Sequence, residues 1–84
     1  MSRFLDRSYK TFEIEGKYVQ VWWDGVENRG VVALSRDSVY RRELYMNRED
    51  FEKTIDDLEK KKDTNLLKRL ENAKLVDTGY RGGA

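Results

Sequence analysis

The stretch Lys17-Tyr18-Val19-Gln20-Val21-Trp22-Trp23-Asp24-Gly25 decides how this chain folds. Its apolar and polar residues alternate, and in a strand successive side chains point to opposite faces. Val19, Val21 and Trp23 therefore go to one side, and Tyr18, Gln20 and Trp22 to the other. Two adjacent tryptophans on a strand cannot both enter one core. One indole must face away, and what that ring is for becomes the functional question.

The same alternation extends in both directions. Upstream, Phe12 and Ile14 alternate with Glu13 and Glu15, and the apolar phase switches across Gly16-Lys17. A Gly-X pair at such a switch is the signature of a type II′ two-residue hairpin. Downstream, Asp24-Gly25 through Asn28-Arg29-Gly30 reads as a longer turn, followed by a third strand from Val31 to Arg36. Asp37-Ser38 makes a third turn, and Val39 to Met46 a fourth strand. The prediction is a four-stranded antiparallel meander over about residues 8–46.

The period changes after residue 47. Asn47 is a good helix N-cap, and Glu49 and Asp50 suit the positive end of the helix dipole. Phe51, Ile55 and Leu58 fall at i, i+4 and i+7, a single apolar stripe. Lys60-Lys61-Lys62 interrupts the stripe, and Leu66, Leu67, Leu70 and Ala73 resume it. Two readings stay open: one long helix with Lys62 in its seam, or a second helix capped by Asp63 or Thr64. The expected fold class is α+β, the meander followed by one long or two short C-terminal helices over about 48–76. Residues 1–78 read as a single small domain, and 79–84, ending in Gly82-Gly83-Ala84, as a flexible tail.

A helix packs on one face of such a sheet. With Phe51, Ile55 and Leu58 over Phe12, Ile14, Val19, Val21, Trp23, Val32, Leu34, Leu44 and Met46, the opposite face carries Tyr18, Gln20, Trp22, Arg41, Glu43 and Tyr45. Trp22 then belongs to an uncovered aromatic face with arginine beside it.

Bulk properties narrow the function. A chain of 84 residues supports one small core. It holds neither cysteine nor histidine, so a disulfide framework and the common zinc, haem and iron–sulfur ligand sets are excluded. No apolar run approaches the ~20 residues of a membrane span, and the opening MSRFLDRSYK has no apolar signal core. The expected setting is the cytoplasm. Formal charge is +1, from 17 Lys and Arg against 16 Asp and Glu. A nucleic-acid ligand must then be recognised by local arrangement rather than by overall basicity.

Catalysis is not expected. Without His or Cys the usual nucleophile–base pairs are missing, and neither a phosphate-binding loop nor a dinucleotide glycine pattern occurs. Glu49-Asp50 and Asp56-Asp57 fall on helical surface, as solvated faces do. No cofactor and no metal are expected. Lys60-Lys61-Lys62 follows Asp56-Asp57 and Glu59 at helical ion-pair distances, again a solvated face.

The aromatic face carries the functional reading. Flat rings on an open sheet can stack bases, at about 1–3 kcal/mol each, and arginine adds phosphate and cation–π contacts. Lys17, Arg29 and Arg36, at turn or strand ends, would rim the face that bears Tyr18, Trp22, Arg41 and Tyr45. The competing reading is that the second helix, or a partner subunit, buries these rings in an ordinary two-sided core. Leu66-Leu67 and Leu70 serve either as a dimer seam or as core.

The run Phe12-Glu-Ile14 into Tyr18-Val-Gln-Val21, and Leu44-Tyr-Met-Asn47 into the acidic amphipathic helix, resembles the PC4-like transcriptional coactivator domain over about residues 11–60. The resemblance implies a dimeric ββββα module binding single-stranded DNA on a curved sheet, with the helix assisting the dimer. It implies DNA contacts from Lys17 in the first turn, Trp22 or Trp23 at the end of the second strand, and Arg36 closing the third. The chain departs from the family in a shorter turn after Arg36, in Val39-Tyr-Arg-Arg42 where a glycine-bearing basic segment is usual, and in the helical segment after Lys62.

Two functions follow as expectations. The first is a non-enzymatic module binding single-stranded DNA or RNA through Lys17, Tyr18, Trp22, Arg29, Arg36, Arg41 and Tyr45, as a homodimer through the C-terminal helix. The second is a protein-binding adaptor or inhibitor, such as a small phage protein that blocks a host or defence enzyme, using the same rings or the acidic helix as a hot spot. An SH3-like barrel, suggested by Val21-Trp-Trp-Asp-Gly25, fits less well with so much helix following.

Overall fold

The computed structural model describes residues 9–35, 40–62 and 65–77. Over these residues the chain forms five strands and two helices: β1 (Tyr9–Ile14), β2 (Lys17–Asp24), β3 (Arg29–Ser35), β4 (Tyr40–Met46), α1 (Arg48–Glu59), α2 (Leu66–Glu71) and β5 (Lys74–Asp77). All the strands pair antiparallel in the order β1-β2-β3-β4-β5, one continuous meander. The α+β class holds, but the sheet has five strands, not four.

β5 lies inside the region expected to be helical. The i, i+4 run through Ala73 suggested that the helix continues, yet α2 stops at Glu71 and Ala73 is already clear of it. Lys74–Asp77 then pairs with β4, in register Arg41↔Val76 and Glu43↔Lys74. Without it β4 would present a row of unpaired backbone groups as an exposed edge. Arg42 secures the junction by donating from Nη1 to the Ala73 carbonyl at 2.9 Å.

The helices are two, joined through Lys60–Asn65. Asn47 caps α1 as expected, its side chain accepting from the Asp50 N–H at 2.8 Å, a contact that typically contributes about 1 kcal/mol. Asn65 occupies the N-cap position of α2, with φ 58 and no capping hydrogen bond from its side chain, and the expected caps Asp63 and Thr64 lie outside the described residues. Lys60 pairs with Asp56 one turn back at 3.0 Å, so that part of the lysine run is the solvated ion-pair face it resembled.

The first hairpin also differs from its sequence reading. Ile14 pairs with Lys17, so the loop is Glu15-Gly16 rather than Gly16-Lys17. Both loop residues have positive φ, 50 and 79, which is the type I′ pattern rather than type II′. The next turn is held by Asp24, whose carboxylate accepts from the N–H groups of Val26 and Glu27.

Both helices lie on the same face of the sheet. Val19, Val21, Val32, Leu34, Phe51, Ile55, Leu66 and Leu70 form the buried core, with Phe12, Ile14, Trp23, Leu44, Met46, Leu58 and Leu67 packed at its margin. Leu66 and Leu70 are thus committed to the chain's own core. Phe51 approaches Gly30 so closely that a Cβ there would fall 2.4 Å from its ring. A side chain at this point of β3 would hold α1 off the sheet. No helix among the described residues is long and apolar enough to cross a membrane.

Candidate functional site

The register settles which side chains share the second face. Trp22 pairs with Val31, which pairs with Tyr45, and Gln20 pairs with Ala33, which pairs with Glu43. Directly paired residues of an antiparallel sheet point the same way. Trp22, Val31 and Tyr45 therefore form one row across the sheet, and Gln20, Ala33, Glu43 and Lys74 the next. Trp23 points to the helices and meets Phe51, centroid to centroid, at 5.7 Å. The adjacent indoles divide between the two faces.

Neither helix covers the second face, which removes the reading in which α2 buries the rings. The face is not a bare apolar patch either. The Arg41 guanidinium carbon lies 4.9 Å from the Trp22 ring centroid, and that of Arg29 lies 3.8 Å from the Tyr45 centroid. Both are cation–π contacts. Each arginine is also tied to a carboxylate. Arg29 Nε stands 3.4 Å from Asp24 Oδ2 across the β2–β3 turn, an ion pair misaligned for a hydrogen bond. Arg41 Nε donates to Glu43, and the Tyr45 hydroxyl donates to the other oxygen of that carboxylate at 2.6 Å.

This network explains a buried charge. Glu43 is 6 % exposed, an expensive position for an unpaired carboxylate. Its partners come from its own strand: Arg41, Glu43 and Tyr45 sit at i, i+2 and i+4 of β4, so the pleat brings them together. The same contacts act on Tyr45. Burial raises its pKa above the usual tyrosine value, the hydrogen bond to Glu43 and the negative charge of that carboxylate raise it further, and Arg29 and Arg41 oppose them.

Of the residues selected from sequence, Trp22, Arg29, Arg41 and Tyr45 form this one interlocked group. Tyr18 lies on the same face, at the hairpin end, and is 60 % exposed. Lys17 does not join them. It sits on the helical side, 3.7 Å from Glu71 of α2. Arg36 lies outside the described residues. Two face residues fall outside the sequence reading, Lys74 and Val76, because the apolar period there continues that of the helix while the chain forms β5. The short alternation Lys74-Leu75-Val76-Asp77 was the available signal. Among the described residues no group of three or more carboxylate, His or Cys side chains is placed to hold a metal.

Comparison of the chain with protein-family models, with curated proteins and with solved structures found no match.

Proposed function

We propose that the face bearing Tyr18, Trp22, Arg29, Arg41 and Tyr45 binds single-stranded nucleic acid, non-enzymatically, by stacking bases on its rings and engaging phosphates with its arginines. One observation carries this reading: two rings on the sheet face that neither α1 nor α2 covers, each with a guanidinium over it. Trp22 and Tyr45 are two strands apart, about 10 Å, and Tyr18 is four residues along β2 from Trp22, about 13 Å. Spaced rings of this kind suit successive unpaired bases better than the stacked interior of a duplex. A base that takes the place of a guanidinium on its ring frees that guanidinium for the adjoining phosphate. Lys74, exposed beside Glu43, adds a cation to the face.

The PC4-like resemblance over residues 11–60 points the same way, although β5 and α2 lie outside the ββββα order it implies. Leu66 and Leu70, on which a helix-mediated homodimer would draw, are buried against the chain's own sheet. The proposed binding unit is therefore one chain.

A protein partner is the second reading, and the ion pairs favour it. Arg29 and Arg41 are matched by Asp24 and Glu43, so the face offers little net charge, while Trp and Tyr beside Arg is the composition of a protein hot spot. Titration of a fluorescent single-stranded oligonucleotide across a salt series separates the two. Nucleic-acid binding through Arg29, Arg41 and Lys74 gives a log–log salt slope of about −2. Absence of binding at low salt leaves the protein-partner reading.

A further inference from the structure

A second concavity lies on the helical side, away from the aromatic face. The β1–β2 hairpin and the connection between α1 and α2 enclose a cleft of about 620 Å³, within the size range of small-molecule sites. Its apolar part comes from Ile14, Leu58 and Leu67 at the margin of the core. Its rim is cationic in balance, four lysines against Glu15 and Glu71. Lys17 from β2, Lys61 and Lys62 from the helix connection and Lys68 from α2 all line it.

Among the described residues, the acidic side chains that line the cleft are Glu15 and Glu71, and of these Glu71 pairs with Lys17. Lys61 and Lys68 make no ion pair with any of the described residues. Lys62 stands at 4.0 Å from Asp57 and Lys17 at 3.7 Å from Glu71, with both lysine side chains more than half exposed. Pairs in that setting contribute little and exchange readily for a stronger anion. Lys17 and Glu71 also line a smaller adjoining cleft of about 330 Å³, to which Arg42 contributes. The Lys17–Glu71 pair is thus common to the walls of both clefts.

We propose that these clefts bind the phosphate groups of a polyanion, with Lys17, Lys61, Lys62 and Lys68 as the phosphate contacts. Glu71 competes for Lys17 and is displaced on binding. A single carboxylate ligand would satisfy one lysine, whereas linked phosphates match cations that arrive from three separate segments of the chain. The same chemistry is offered by a free polyphosphate and by the phosphodiester backbone of a nucleic acid strand. The site is independent of base stacking on the opposite face.

The test is amide chemical-shift titration of the isotope-labelled protein with inorganic tripolyphosphate, and in parallel with a short single-stranded oligonucleotide. Saturable shifts at Gly16, Lys61 and Lys68 are expected, with the Trp22 and Trp23 indole N–H signals unmoved by tripolyphosphate. Lys61→Ala and Lys68→Ala, both exposed positions, should each weaken binding about two- to fivefold, and Glu71→Gln should tighten it by a similar factor. Cleft shifts with tripolyphosphate identify a free-phosphate site, and cleft shifts with the oligonucleotide alone identify backbone recognition. Either upholds the phosphate site. Sodium chloride at matched ionic strength producing the same shifts, or no saturable shift from either probe at low salt, overturns it.

Discussion

Gly30 and Phe51 are in contact without an intervening side chain: a methyl group on Gly30 would lie 2.4 Å from the ring and 2.6 Å from the Phe51 Cβ. The second distance matters more, because a ring can rotate whereas a Cβ moves only with its helix. Gly30→Ala should therefore displace α1 and destabilise the fold by about 1–3 kcal/mol, the usual range for overpacking. Chemical denaturation measures the loss. If the Cβ contact is the cause, Gly30→Ala combined with Phe51→Gly should lose less than the two single variants together, whereas Phe51→Leu, which keeps the Cβ, should give little relief.

The first hairpin offers the opposite change. Glu15 holds φ 50 in the loop position before Gly16, a region that costs an ordinary L-residue about 1–2 kcal/mol and that Asn enters more easily. Glu15→Asn creates the Asn-Gly pair preferred by type I′ turns and should stabilise the protein by up to about 1 kcal/mol. Thermal unfolding at neutral pH would show it. An unchanged or lower midpoint would mean that Glu15 makes a compensating contact.

How much of this was legible in the sequence depends on the range of the forces involved. Side-chain direction is local, so residues 18–23 and 41–46 were enough to divide the sheet into a helix-covered face and an aromatic one, and to place Phe51 and Ile55 in the core. The Asn47 cap is local too. What failed was long-range or close to degenerate. Lys74–Asp77 is four residues with weak alternation, and its strand state comes from the open edge of β4, a distant partner. The direction of Lys17 is local, since the alternation sets it on the side of Val19, but its partner Glu71 is far along the chain. The tethering of both arginines depends on which residues the register sets side by side. A list of basic and aromatic residues does not contain it.

The Tyr45–Glu43 contact predicts an alkaline limit. The pKa of Tyr45 is raised in the folded protein, so the native state keeps a proton that the unfolded chain gives up first. The resulting stability is fully present below the ordinary tyrosine value near 10 and is lost as pH rises through the higher folded-state value. Tyrosinate absorbance should show a step above the ordinary tyrosine value. Tyr45→Phe should remove that late step together with its share of the alkaline loss of stability. Glu43→Gln removes the charged acceptor and should bring the step to lower pH. A step that stays in place in Glu43→Gln would refute the assignment to this pair.

The two tryptophans give the sharpest functional comparison, because they are adjacent in sequence and differ in what they touch. Trp23 packs against Phe51 and lies beneath the Arg48 guanidinium, whose carbon is 4.6 Å from the ring centroid. Trp23→Ala should cost several kcal/mol of stability, on the order of 3. Trp22 faces outward with Arg41 over it, so Trp22→Ala should cost less stability and instead weaken oligonucleotide binding by about 1–3 kcal/mol, one stacking contact. Paired denaturation and binding curves at one salt concentration test both at once. The aromatic-face proposal requires the two effects to separate. If Trp22→Ala destabilises the fold as strongly as Trp23→Ala while binding per folded molecule is unchanged, the outward indole is a packing residue and the proposal fails.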